Sequence, residues 1–151
     1  MKILLPFLLL TLASIAFVRA EYWTTDYKAA LAQAKQQNKL VLLDFTGSDW
    51  CPGCMLLAKE VFPDPAFKAF VTKNFVPVTI DFPNGTKLSD AVALQNDKLQ
   101  DHFKVEVFPT LIVVDPDGKE IGRFTGEDIG HKASDFNPKN VVGLLLRYTK
   151  K

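Results

Sequence analysis

The sequence predicts an α/β domain in which four short strands form one mixed sheet between helices. Two apolar runs, residues 40–45 and 75–82, are separated by a helical crossover, and strands joined in that way are parallel. Two later runs, 111–115 and 119–125, are separated only by the turn Pro116-Asp117-Gly118, which predicts an antiparallel hairpin. No repeat or internal linker divides the chain, so we expect a single domain.

The strand over residues 40–45 is expected at the centre of the sheet. Its sequence, Leu-Val-Leu-Leu-Asp-Phe, is apolar without alternation, which is typical of a strand covered on both faces. Asp44 interrupts this run and is therefore expected to be a buried carboxylate.

Three helices are predicted from composition and the spacing of apolar side chains. Residues 26–38 repeat apolar side chains at helical spacing and are rich in Ala, Lys and Gln. Residues 55–61 have a helix-compatible composition that Pro63 interrupts, and residues 88–103 carry a polar but helix-like pattern.

Two further helices are predicted from their first residues. Asp64 is a capping residue and Pro65 suits the first helical position, so a helix is expected from there to about Asn74. Asn137 and Pro138 form the same pair of signals before the last helix.

The composition excludes several classes of protein. The chain has 151 residues, of which 48% are hydrophobic and 23% are charged, and it contains 2 Cys, so disordered, collagenous and disulfide-dense classes do not fit. The 18 Lys and Arg balance 17 Asp and Glu, which leaves a formal charge of +1. No basic run provides the field that nucleic acid requires, so nucleic acid is not an expected partner.

The first twenty residues have the pattern of an export signal. Lys2 supplies the positive start, residues 3–18 are uncharged, and Val18-Arg19-Ala20 fits a small-x-small cleavage site. Pro6 breaks an apolar stretch that is already short for a membrane span of about 20 residues. We therefore expect residues 1–20 to be a signal peptide and residues 21–151 to be a mature domain that does not span a membrane.

Cys51 and Cys54 form a Cys-x-x-Cys motif between the buried strand and a helix. The free N–H groups and the dipole at a helix start favour a thiolate, and such sites lower a thiol pKa from about 8.5 to between roughly 3.5 and 7.5. Cys54, one turn further in, should be less exposed and close enough to attack a mixed disulfide formed on Cys51. The spacing therefore supplies both a nucleophile and a resolving thiol.

The sequence around these cysteines resembles the thioredoxin family. The resemblance rests on Asp-Phe at 44–45, Trp-Cys-x-x-Cys at 50–54 and Phe-Pro-Thr at 108–110 before a strand and hairpin, and it spans most of residues 26–150. Phe-Thr-Gly-Ser-Asp-Trp-Cys at 45–51 and Lys-Glu-Val-Phe at 59–62 are most similar to exported thioredoxin-like proteins related to the periplasmic domain of the membrane thiol-reductant conduit. The resemblance implies the thioredoxin fold, with a central mixed sheet of about four to five strands flanked by helices.

The resemblance also implies roles for individual residues. Cys51 would be the attacking thiolate, Cys54 the resolving thiol, and Asp44 the carboxylate that relays the proton of Cys54. A cis proline at 109 would lie against the cysteines and leave the backbone of the preceding residue free to pair with a substrate strand. The substrate-binding residues implied are Trp50, Phe108, Pro109 and Thr110, and the active-site loop residues are Pro52 and Gly53.

The chain departs from ordinary thioredoxins at three points. Asp44 precedes Cys51 by one residue more than usual, so the loop 46–49 is longer. The dipeptide between the cysteines is Pro52-Gly53 rather than Gly-Pro. The strand 75–82 contains no lysine to partner the buried carboxylate. The reducing strength of thioredoxin therefore does not transfer to this chain automatically.

Other interpretations of the cysteine pair are weaker. A structural disulfide closing so short a loop would constrain the unfolded chain little. A zinc site would need His102 and His131 as further ligands, and neither has the paired spacing of zinc motifs, so no metal is expected. Copper delivery by exported relatives uses a Cys-x-x-x-Cys spacing that this chain lacks.

The sequence therefore predicts an exported, periplasmic protein that exchanges thiols and disulfides with protein cysteines and needs no cofactor. The resemblance favours a reductase fed by a membrane thiol reductant and acting as a monomer. An oxidase or isomerase of the same fold is the alternative within this chemistry. A binding module or chaperone, in which the cysteines are incidental, is the alternative from another class.

Overall fold

The computed structural model describes residues 22–149, so the predicted signal peptide lies outside the described residues. The helices are α1 (Tyr27–Gln37), α2 (Pro52–Leu56), α3 (Pro65–Asn74), α4 (Asp90–Phe103), α5 (Gly126–Ile129) and α6 (Pro138–Thr149). The strands are β1 (Leu40–Thr46), β2 (Phe75–Asp81), β3 (Thr110–Val114) and β4 (Glu120–Thr125). A π-helical turn, Leu57–Val61, continues α2, and a 3-10 turn, Ala133–Asp135, precedes α6.

Within residues 22–149 the strands form one sheet in the order β2-β1-β3-β4. β1 is parallel to β2 and antiparallel to β3, and β3 is antiparallel to β4. The mixed sheet, the central position of β1, the parallel pair and the hairpin predicted from the sequence are all confirmed. Thr24 adds a short parallel bridge to Val78 on the outer edge of β2.

The sheet separates two apolar cores. Because side chains alternate along a strand, Val41, Leu43 and Phe45 of β1 join the core beneath α1 and α4. Leu42 faces the opposite core, which contains residues of α3, α6 and the π-helical turn. Asp44 and Thr46 share the side of Leu42, so β1 directs its carboxylate towards the helix that begins at the cysteines.

One segment was not predicted from the sequence. Between β4 and α6 the chain forms α5, the 3-10 turn and the loops that join them. Ile129 and Phe136 in this segment are buried in the core beside α6. The predicted last helix does begin at Pro138, and the Asn137 side chain accepts the backbone N–H of Asn140 at 3.0 Å, as its capping pattern indicated.

Candidate active site

The candidate site lies at the carboxyl ends of β1 and β2. These strands are parallel and in register, with Thr46 opposite Asp81, so the loops that follow them leave the sheet side by side. The loop after β1 leads directly to Cys51. The Ser48 N–H and hydroxyl donate to the Asp81 carboxylate at 3.0 and 2.6 Å, which joins the two loops at their base.

Cys51 and Cys54 form a disulfide at the start of α2, with their Cα atoms 5.2 Å apart. Cys51 is the N-cap residue of α2, and Pro52 occupies the first helical turn. The Cys54 N–H donates to Cys51 Sγ at 3.2 Å, and the Gly47 N–H donates to Cys54 Sγ at 3.4 Å. Both cysteines are buried in this oxidised form, Cys54 slightly more than Cys51. Backbone donors therefore already point at both sulfurs, which is where negative charge forms after reduction.

The Phe108–Pro109 peptide bond is cis, and the proline lies against the cysteine loop. A Cβ added to Gly53 would be 3.1 Å from Pro109 Cδ, and one added to Gly126 would be at the same distance. The Gly126 N–H also donates to the Pro109 carbonyl at 3.0 Å. Two residues without side chains therefore allow the proline to approach both the cysteine loop and the start of α5.

An aromatic rim borders the cysteines. Trp50 is 42% exposed, and its ring centroid lies 5.7 Å from that of the half-buried Phe108. Val107, two residues before the proline, is also exposed. The resemblance places Thr110 in the substrate-binding set, but its side chain is buried and its hydroxyl donates to the Val107 carbonyl at 2.8 Å. Thr110 thus holds the loop before the proline, whereas Trp50, Val107 and Phe108 supply apolar surface.

Asp44 and Cys54 line the same cavity, of about 350 Å³, behind the disulfide. Its polar wall includes Thr46, Ser48 and Thr79, and its apolar wall includes Tyr22, Trp23, Ala58, Phe62 and Pro63. In the described part of the chain, Asp44 Oδ1 and Trp23 Nε1 are the buried side-chain atoms that lack a hydrogen-bond partner. A cavity of this size accommodates several water molecules, which can satisfy such atoms.

Burial, together with the Asp81 carboxylate on the same side of the sheet, raises the pKa of Asp44 from 3.8 to about 7. Asp44 therefore has an acidic neighbour on β2, the strand in which the family resemblance implied a partner lysine. A carboxyl group with this pKa exchanges protons readily near neutral pH. The longer loop 46–49 does not separate Asp44 from Cys54, since both reach the same cavity.

Across residues 22–149 there is no group of three or more His, Cys, Asp or Glu side chains placed to hold an ion. His102 and His131 are both exposed, as expected for ordinary surface residues.

None of the helices within residues 22–149 is long and apolar enough to cross a bilayer.

Two aromatic residues of the site were missed by the sequence reasoning. Trp23 belongs to the segment before α1 and packs on Phe62, with ring centroids 4.6 Å apart, at the wall of the cavity. Phe136 lies beside Gly53, at 3.5 Å from a Cβ placed there. Only their aromatic character marked them in the sequence, because both positions depend on contacts between distant parts of the chain.

Comparison with known proteins identifies the family. The thioredoxin-like domain family matches residues 27–128. The chain is 34% identical over 119 residues to "Disulfide bond reductase DsbH" of Chlamydia pneumoniae, covering 79% of this chain and 72% of that protein. It is 34% identical over 103 residues to "Thiol:disulfide interchange protein DsbD" of Pseudoalteromonas atlantica, covering 67% of this chain but only 16% of that longer protein.

Structural comparison agrees with the sequence matches. A solved "DsbH Oxidoreductase" superposes with a TM-score of 0.69 at 31% identity, covering 83% of this chain and 84% of that one. The chain therefore belongs to the thioredoxin-like family and is a thiol–disulfide oxidoreductase of the Dsb type.

Proposed function

We propose that this protein is an exported reductase that passes two electrons from its Cys51–Cys54 dithiol to disulfides in client proteins. The observation that carries the thiol–disulfide exchange chemistry is the position of Cys51 as the N-cap of α2, with its sulfur accepting the Cys54 N–H, beside the rim formed by Trp50 and Phe108. The name of the related DsbH, a disulfide bond reductase, supports this direction of electron flow.

The reaction proceeds by two exchanges. The Cys51 thiolate attacks one sulfur of the client disulfide, so a Cys51–client bond forms and the second client sulfur leaves as a thiolate, which takes up a proton. Cys54 then loses its proton and attacks Cys51 Sγ, which releases the first client sulfur. The client gains two electrons and two protons, and the protein is left with the Cys51–Cys54 disulfide.

Asp44 is the proposed acceptor of the Cys54 proton. It shares the cavity with Cys54, and its pKa of about 7 means that a substantial fraction is ionised at neutral pH. Water in the cavity provides a path for the proton where the two groups are not in direct contact. After the disulfide forms, the same path returns the proton to solvent.

Client proteins would bind along the cis proline. The backbone of Phe108 pairs with an extended client segment and Trp50 contacts its side chains, while the buried Pro109 ring supports this stretch of backbone. Thr110 acts through its bond to Val107, and Pro52 and Gly53 shape the loop that faces the proline. No organic cofactor takes part, since the two cysteines store both electrons.

The proposed setting is the periplasm. The signal-like pattern of residues 1–20 supports export, with cleavage that leaves Glu21 as the first residue. The similarity to the thiol:disulfide interchange protein DsbD supports a membrane thiol reductant as the electron donor. The proposed form of the mature domain is a monomer. Mass spectrometry of the protein recovered from a bacterial periplasm tests the cleavage site directly.

Insulin reduction tests the enzyme proposal. The wild type should accelerate insulin precipitation in the presence of dithiothreitol, and Cys51→Ser should abolish this acceleration. Cys54→Ser should accumulate a client mixed disulfide on Cys51 that survives acid quenching. Lack of turnover by the wild type, or equal turnover by Cys51→Ser, would refute the enzyme proposal and favour the binding module instead.

A redox titration against glutathione tests the direction. A reductase should have a potential near that of thioredoxin, about −270 mV, whereas an isomerase lies near −180 mV and a strong oxidant near −120 mV. A value at the oxidising end would exclude the reductase proposal while keeping the dithiol chemistry.

A further inference from the structure

Three consecutive residues before Cys51 are each hydrogen-bonded to the last residue of β2 or to the segment that follows it. Ser48 bonds the Asp81 carboxylate, as described above. The Asp49 carboxylate accepts the N–H groups of Asn84 and Gly85 at 2.9 and 2.6 Å. The Trp50 indole N–H donates to the carbonyl of residue 82 at 2.7 Å. The loop that carries the nucleophile is thus held to residues 81–85 through Ser48, Asp49 and Trp50.

Asp49 contacts this segment through both of its carboxylate oxygens although it is exposed to solvent. Its two carboxylate oxygens each accept one backbone N–H, and these bonds to Asn84 and Gly85 lower the pKa of Asp49. Hydrogen bonds to a charged acceptor are roughly twice as strong as those between neutral groups. Ionised Asp49 therefore organises the loop at residues 83–85, which otherwise has no regular secondary structure.

Trp50 depends on the same loop for its orientation. Its indole ring lies over Gly47, where an added Cβ would overlap the ring. Its N–H is bonded to the Phe82 carbonyl, and the Phe82 and Phe108 rings lie 5.5 Å apart. A shift of residues 82–85 would therefore move the hydrogen-bond partner of Trp50 and an aromatic neighbour of Phe108 together.

We propose that Asp49 is a positioning residue that fixes residues 82–85 and thereby holds Trp50 in the orientation that receives protein clients. The inference rests on the proposed function in one respect, the use of Trp50 as a client contact. Asp49 touches neither sulfur through its side chain, and its effect is on how well the rim is organised before a client arrives. Organising a binding surface in advance lowers the entropy lost on binding, so KM responds more than kcat.

A double-mutant cycle with Trp50 tests this role. Asp49→Ala should raise the KM for insulin about fivefold and change kcat less than about twofold. The same substitution made in Trp50→Ala protein should change KM by less than about twofold, because residues that act through each other are not additive. Asp49→Asn, which keeps one acceptor oxygen, should give an intermediate KM. Equal effects of Asp49→Ala in both backgrounds would overturn the proposal.

Asp26→Ala is the matched control. Asp26 is also exposed, and its carboxylate accepts the backbone N–H of Ala29 at 2.8 Å at the start of α1. Its loss removes a bond of the same kind without touching residues 82–85, so the KM for insulin should stay within about twofold of wild type. A rise in KM equal to that of Asp49→Ala would mean that Asp49 acts only through general stability, and would refute the positioning role.

The orientation of Trp50 can be measured without turnover. In ¹H–¹⁵N spectra of the oxidised protein, Trp23→Phe assigns the two indole N–H signals. Asp49→Ala should shift the Trp50 signal and speed its exchange with solvent at least about tenfold. Asp26→Ala should leave the chemical shift and the exchange rate of the Trp50 signal unchanged. If wild type reduced no insulin, the proposed function would fail, yet this spectrum would still decide the positioning role. Unchanged Trp50 exchange in Asp49→Ala would refute it.

Discussion

Replacing Asp44 by Asn should make the oxidised protein more stable at alkaline pH and change how its stability depends on pH. Below pH 3.8 the carboxyl group is protonated in both the folded and the unfolded chain. As the pH rises, the unfolded chain releases this proton first, because burial has raised the pKa in the folded state to about 7. The free energy of unfolding therefore falls between these two values and becomes level above them. An asparagine side chain has no such proton to lose.

The size of the effect follows from the two pKa values. Each pKa unit corresponds to about 1.4 kcal/mol, so a change from 3.8 to about 7 corresponds to about 4 kcal/mol above neutral pH. Water that enters the adjoining cavity would stabilise the ionised carboxylate, so this value is an upper limit. We expect Asp44→Asn to exceed the wild type by about 2–4 kcal/mol at pH 8 and to match it within about 1 kcal/mol at pH 4.

Urea unfolding of the oxidised wild type and Asp44→Asn from pH 4 to 8 measures the difference. Asp81→Asn is the companion variant, since it removes the second cause of the raised pKa while keeping an acceptor oxygen for Ser48. Its gain at pH 8 should be smaller than that of Asp44→Asn. Parallel stability curves for wild type and Asp44→Asn over the whole range would show that Asp44 is not a buried carboxyl of raised pKa, and the proton-relay argument would lose its basis.

Three other predictions concern the surroundings of the site. Gly53→Ala would place a methyl group 3.1 Å from Pro109 Cδ, so it should lower the free energy of unfolding by about 1–3 kcal/mol and slow insulin reduction. Gly143→Ala in α6, whose methyl group meets nothing within 4 Å, should raise the free energy of unfolding by about 0.5–1 kcal/mol. Equal melting temperatures of the two variants would contradict this prediction. Asp128→Ala removes the carboxylate that accepts the Thr125 N–H at 2.7 Å and should cost about 1 kcal/mol in urea unfolding, and no loss would show that α5 does not depend on its cap. Hydrogen bonds from Asn84 and Gly85 lower the pKa of Asp49, so Asp49 should stay ionised as the pH falls to 5. The protection of the Trp50 indole N–H against exchange should therefore persist at pH 5 and disappear only at more acid pH. Loss of protection already at pH 5 would argue against the role of the Asp49 carboxylate.

Local patterns in the sequence predicted most of the sheet. The continuous apolar run of β1 indicated a central strand, and the turn at 116–118 indicated the hairpin, because both signals lie within a few neighbouring residues. The position of Cys51 at a helix start followed in the same way from the strand before it and the helix after it. The strand, the turn and the helix start are each determined by residues that lie next to one another in the sequence.

The parts that the sequence did not predict depend on long-range contacts. α5 has only four residues between Gly126 and Ile129, too few for a helical period to be visible, yet it places Gly126 against Pro109. The cavity beside Asp44 is closed by Trp23 and Phe62, which are far apart in sequence. The neighbour of Asp44 could not be identified as Asp81 until the register of β1 and β2 was known.

The pairing of Thr46 with Asp81 has a consequence for protein engineering. Since β1 and β2 end side by side, the peptide that introduces the first cysteine and the peptide that leaves β2 form one composite surface. A chimera that imports a loop with no acidic residue at the position before the tryptophan would leave the amides of Asn84 and Gly85 without their carboxylate acceptor. Grafts that exchange both segments together should therefore retain client affinity better than grafts that exchange either alone.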